Sequence, residues 1–160
     1  MPNWCMNNAT ISHDDANKLN ELLDAYKRGE LMEHFLPTPK DENGELDKDW
    51  YDWRVNNWGT KWDVGGEYAY ADCPDHNTTV LSFDSAWSPP IEFYSFMKRE
   101  HGFDIRASYF EPGMCFCGDW IDGMDNYYEG DWRDGIFPTH LMEEYNMEEF
   151  YEEDEEEVGG

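Results

Sequence analysis

Positions 50–62 read Trp-Tyr-Asp-Trp-Arg-Val-Asn-Asn-Trp-Gly-Thr-Lys-Trp, and five of the thirteen are aromatic. Wound as a helix over 50–58, the stretch places Trp50 and Trp53 on one side and Tyr51, Val55 and Trp58 on an adjoining side. Only Asp52 and Asn56 remain as a polar wedge. Such a helix is expected to be mostly buried, because indoles and phenols cover large apolar areas whatever else they do. Asp49 stands where a side chain would cap the first turn, and Gly59 where a left-handed residue would end the last. The alternative use of these rings is a platform on which bases or ligands stack.

The neighbouring patterns arrange themselves around that helix. Residues 4–12 alternate Cys5, Asn7, Ala9 and Ile11 with Trp4, Met6, Asn8 and Thr10, which suits a strand with protein on both faces. Ser12 with Asp15 three residues later is a capping pattern, and Ala16, Leu19, Leu22, Leu23 and Tyr26 then recur at helical spacing up to Gly29. Residues 66–73 and 78–87 read as a hairpin closed by Pro-Asp-His-Asn at 74–77. Ser88-Pro-Pro predicts a second helix with Ser88 as its cap, and Gly102 as its stop. Alternation from Phe103 to Tyr109 gives another strand, and Pro112-Gly113 turns the chain into a further one over 114–121. The order predicts an α+β fold: a ferredoxin-like antiparallel sheet with two helices on one face, a Trp-rich helical insertion and an added C-terminal strand.

Three motifs carry a resemblance to a known family. Asn3-Trp4-Cys5, Trp-Tyr-x-Trp-x-x-x-Asn-Trp-Gly-Thr-Lys-Trp-Asp at 50–63, and Phe-Asp-Ser-Ala-Trp-Ser-Pro-Pro at 83–90 resemble the Api92-like or YubB-like proteins of phages and plasmids. The resemblance spans roughly residues 2–123. It implies a ferredoxin-like domain and a mobile-element origin, and it carries over no catalytic residue. The chain departs from the family pattern in its acidic last third.

That acidity bounds the partners. The 160 residues hold 37 Asp and Glu against 11 Lys and Arg, a net charge of −26. From Glu111 onward there are 17 acidic residues, opposed only by Arg133. Nucleic acid and anionic membranes are bound through cations, so direct contact with either is not expected, whereas a basic protein would be attracted. No run of eighteen apolar residues and no signal-type N-terminus is seen, so the expectation is a cytoplasmic protein, in the host cell for a mobile element, with its four cysteines as thiols. The domain reading is a ferredoxin-like domain over 1–123 with an insertion at 30–65, an acidic extension packed on it over 124–150, and a disordered acidic tail over 151–160.

Chemistry-bearing patterns are sparse. Cys115 and Cys117 have one residue between them, not the two to four of zinc ligand pairs, and the carboxylates after Asp119 do not follow a calcium-loop pattern. No phosphate-cradling loop, nucleophile elbow or zinc-protease helix occurs. The expectation is therefore a non-enzymatic protein with no catalytic residue, no metal site and no cofactor.

What remains is dense carboxylate interleaved with aromatics: Asp119, Trp120, Asp122, Asp125, Tyr127, Tyr128, Glu129, Asp131, Trp132 and Asp134. Duplex DNA carries a negative charge about every 1.7 Å along its axis, so carboxylates at comparable density would suit a groove built for phosphates. The rings would supply the apolar part of the affinity. This points to a phage or mobile-element accessory protein that inhibits a host nucleic-acid-handling protein: a defence nuclease, a CRISPR effector or a polymerase. The alternative is a small-ligand or nucleotide pocket beside the Trp-rich helix, serving binding or an enzymatic activity, with Asn7, Arg54, Asn57, Lys61 and Arg106 as its polar groups. A third possibility is pairing of a sheet edge, so the chain is expected to be a monomer or a homodimer.

Overall fold

In β1 (Trp4–Ser12) Cys5, Asn7, Ala9 and Ile11 are buried, while the residues between them are half-buried or exposed. The strand runs through the interior of a sheet in the computed structural model, which describes the backbone of residues 2–159 and the side chains of residues 2–153. The elements that follow are α1 (Ala16–Lys27), α2 (Leu31–Phe35), α3 (Trp50–Asn57), β2 (Tyr70–Asp75), β3 (Thr78–Ala86) and α4 (Ile91–His101). After them come β4 (Asp104–Glu111), β5 (Phe116–Ile121), β6 (Met124–Glu129), a 3-10 turn (Trp132–Asp134), α5 (Thr139–Glu144) and α6 (Met147–Gly159). The fold is α+β: among the described residues, one open antiparallel sheet in the order β2-β3-β1-β4-β5-β6, with six helices.

Alternation on the strands divides the sheet into two faces. On the first, Ala9, Ile11, Leu81, Ile105, Ala107 and Trp120 pack against Leu19, Leu22 and Tyr26 of α1 and Phe93, Tyr94 and Met97 of α4. On the second, Phe110 and Cys117 lie under Phe137, Leu141 and Met147, so α5 and α6 form a cover on the opposite side. The two helices expected on one face, α1 and α4, do share it, whereas the expectation of a single added strand is corrected. Met124–Glu129 pairs with β5 as a further strand, and the apolar positions of the C-terminal segment need the second face for burial.

The Trp-rich helix forms where predicted, yet none of its residues is fully buried. Tyr51, Val55 and the nearby Trp62 are exposed. The rings cover one another instead: Trp50 lies 5.6 Å from Trp62, and the Arg54 guanidinium sits 5.1 Å from the Trp50 ring and 4.6 Å from that of Trp58. Only Trp58, just past the helix, enters the core, where its indole N–H donates to Leu36 O at 2.9 Å. Gly59 takes the left-handed conformation expected of it, at φ +88°.

Several caps differ from expectation. Asp49 makes no capping bond to α3. Asp15 rather than Ser12 caps α1, accepting from Asn17 N, because Ser12 still belongs to the β1 ladder. Ser88 does not cap α4: its hydroxyl donates to Gly59 O at 2.5 Å and ties the helix entry to the end of the Trp-rich segment. Of the stretch 151–160, expected to be a mobile tail, the backbone is helical through Gly159. That helix starts on packed rings, since Phe150 and Tyr151 lie 5.7 and 5.8 Å from Phe110 and Tyr151 stacks on Trp132 at 5.5 Å. The side chains from 154 on and residue 160 lie outside the described residues.

Candidate functional site

The described carboxylates after Glu111 lie on β5, β6 and the turns beside them, which extend the sheet beyond β4, and on α5 and α6, which fold back over its second face. Their side chains divide between the two faces. Asp119, on the second face, is buried and bonded, accepting from Asn126 Nδ2 at 2.8 Å and from His140 Nε2 at 2.9 Å. Trp120, next in sequence, faces the first core at 2 % exposure, 5.8 Å from Tyr94. A ring enclosed in that way cannot anchor a partner, which corrects the sequence expectation. Tyr128 and Trp132 are likewise half-buried against the second core. Asp122, Asp125, Tyr127, Glu129, Asp131 and Asp134 remain exposed, along the outer strand and the turn after it.

The five polar residues proposed for a ligand pocket do not converge. Asn7 is buried within the first face, donating to Cys5 O and Ser85 Oγ, with its Oδ1 unpartnered. Arg54 is held by Thr38 Oγ1 at 3.0 Å, Lys61 O at 3.2 Å and Glu33 at 3.9 Å. Asn57 closes onto Trp53 O, and the Lys61 ammonium lies 4.8 Å from the Trp62 ring. Arg106 is on the second face, exposed, in a cleft of about 240 Å³ with Asn8, Ser108, Asp119, His140 and Glu144. Two of those contacts tether α5 to the sheet: His140 to Asp119, and Glu144, which accepts from Ser108 Oγ. Tyr145 joins them through a 2.8 Å bond to the same hydroxyl.

A cleft does adjoin the Trp-rich helix, with a different lining. About 430 Å³ in volume, it lies between Val55 and Gly59 on one side and β5–β6 on the other. Its walls include the rings of Trp87, Tyr109, Phe116 and Tyr127, and its charged residues are Glu92 and Asp125. Trp87 holds a left-handed backbone at φ +70°, uncommon for a bulky residue, and leaves its indole 45 % exposed. Tyr109 Oη donates to Asp125 Oδ1 at 2.6 Å. Loss of water raises the Asp125 carboxyl above its ordinary value; the Tyr109 hydrogen bond lowers it and the charge of Asp119 adds to the rise.

Sequence reasoning named Asp125 and Tyr127 but missed Trp87, Tyr109 and Phe116 as neighbours, since the cleft combines three successive strands with the distant α3 and α4 entry. One local signal was Gly118 inside a strand, a position where another group often approaches the backbone. Among the described residues no three His, Cys, Asp or Glu side chains gather as a metal-binding group. No helix among them is long and apolar enough to cross a membrane. No protein-family model matches this chain, and neither a curated protein nor a solved structure resembles it at a significant level.

Proposed function

We propose that this chain is a non-enzymatic accessory protein of a phage or related mobile element that occupies the cationic groove of a host nucleic-acid-handling protein. In this reading β1–β4 with α1 and α4 form a ferredoxin-like core of the Api92-like or YubB-like kind, a likeness carried by the sequence motifs and by the strand order β2-β3-β1-β4. β5, β6, α5 and α6 are the working addition.

One observation carries the proposal. The backbone of the segment that carries 17 acidic residues and a single arginine folds as the outer strands and the second-face helices, and its described carboxylates other than Glu111 and Asp119 are exposed there. A one-signed surface of this kind steers an oppositely charged partner and repels nucleic acid. Tyr127, at 50 % exposure among Asp122, Asp125 and Glu129, is the ring best placed to touch that partner.

The test is displacement of labelled duplex from a cationic DNA-binding protein, measured at low and high salt. A variant carrying Glu143→Gln, Glu148→Gln, Glu149→Gln, Glu152→Gln and Glu153→Gln serves as the control for charge. Displacement that weakens steeply with salt and is lost in the glutamine variant supports electrostatic mimicry. Displacement indifferent to both overturns it.

A further inference from the structure

We infer that the cleft bounded by Trp87, Tyr109, Phe116, Tyr127, Glu92 and Asp125 is a guanidinium pocket that receives one arginine side chain of a basic protein partner. The inference rests on the reading above for the partner's charge; the selectivity of the pocket follows from its own lining.

Rings and carboxylates together select a cation. The face of an aromatic ring carries negative potential, so a cation within about 6 Å of its centre is attracted, most strongly where water is excluded. Phe116 and Tyr127 lie 5.4 Å apart, the exposed Trp87 lines the same cleft, and the buried Tyr109, 6.1 Å from Phe116, serves to hold Asp125 rather than to offer a free ring face. Among the described residues, no lysine, arginine or histidine lines the cleft. Neither Asp125 nor Glu92 has an ion-pair partner among the described residues. Asp125 Oδ1 accepts the hydrogen bond from the Tyr109 hydroxyl, while its Oδ2 has no hydrogen-bond partner among those residues.

The first turn of α4 also borders the cleft, and a helix start ordinarily favours an anion. Its amides are largely occupied: Ile91 N donates to Pro89 O, Phe93 N to Trp58 O and Tyr94 N to Pro90 O. Glu92 adds a negative charge in that same turn. An anionic ligand would therefore meet two carboxylates and few free donors.

Arginine suits the site better than lysine. Its planar head can stack on a ring while its N–H fork meets a carboxylate, whereas an ammonium is a compact and strongly hydrated charge. The volume is that of a ligand-sized cleft, ample for the methylene stem as well.

The experiment follows the Trp87 indole N–H by NMR, assigned by its absence in Trp87→Gly, a replacement suited to a positive φ. The full chain is titrated with N-acetyl-arginine methylamide, its neutral citrulline counterpart, its lysine counterpart and free arginine. The arginine amide is expected to shift Trp87 and Tyr127 saturably, while citrulline does nothing and lysine binds more weakly. Asp125→Asn, which keeps an acceptor for Tyr109, is expected to weaken binding about tenfold. The proposal is overturned by no saturable shift at Trp87, by equal shifts at Trp50 and Trp62, or by an Asp125→Asn variant that binds like the parent. Free arginine binding at least as tightly as the amide overturns the choice of a protein-borne side chain.

An arginine-rich peptide then separates the two readings. If Asp125→Asn binds it like the parent while the glutamine variant does not, the pocket fails and the acidic surface stands. If the glutamine variant binds like the parent while Asp125→Asn does not, the surface fails and the pocket stands.

Discussion

Tyr109 on β4 reaches Asp125 on β6 across the intervening strand, its hydroxyl 2.6 Å from Oδ1, and Gly118 on β5 is the residue it passes over. A Cβ built at Gly118 would collide with Tyr109 Oη and with Asn126 O. Gly118→Ala is therefore expected to displace the phenol and strain the ladder, costing about 1–3 kcal/mol as an overpacking change. Denaturant titration checks this, and the Trp87 indole signal should move with it as the cleft wall shifts.

Asp125 itself gives a pH dependence with a definite sign. Loss of water raises its folded-state carboxyl above the ordinary 3.8, so the folded chain holds that proton more tightly than the unfolded chain. The stability this supplies is fully present below the unfolded value and is lost as pH rises through the folded one. Asp125→Asn is thus expected to melt higher than the parent at neutral pH and equally at pH below 3.8, as followed by circular dichroism.

Asp63 accepts the backbone N–H groups of Met32, Glu33 and Val64 at 2.8, 2.9 and 2.8 Å, and so caps α2 from a distant part of the chain. Asp63→Ala leaves these donors without their acceptor. A loss of about 1–3 kcal/mol is expected, read as a lower denaturation midpoint at unchanged slope.

Removal of everything after Gly135 uncovers Phe110 and Cys117, which Phe137, Leu141 and Met147 otherwise bury. The shortened chain is expected to bind a hydrophobic dye and to associate in light scattering. Charge neutralisation, which keeps the cover in place, is thus the cleaner way to probe the acidic surface.

The elements legible in the sequence are those whose pattern is local. The alternation of β1 and the apolar spacing of α1 and α4 each place a face directly. What stayed hidden depends on which neighbours arrive. Trp50, Tyr51, Trp53 and Trp58 look alike to periodicity, yet only Trp58 meets the main core in full, because it follows the helix at the turn. Trp120 and Tyr127 sit in one acidic stretch on the same face of the sheet, and only the first lies beneath α4. The cleft draws on α3, the α4 entry, β4, β5 and β6, and no spacing rule brings those together.

β2, at the edge opposite β6, resembles it in burial but not in register. Tyr70–Asp75 buries none of its six residues fully, and its register slips between Asp72 and Asp75, around Pro74. Peeling this strand away exposes little apolar area and breaks a ladder already interrupted, so its opening is expected to be a low-cost excursion of the sheet. Amides that β3 lends to it are accordingly among the first to exchange with solvent, while those joining β1 to its two neighbours hold out until the whole molecule unravels.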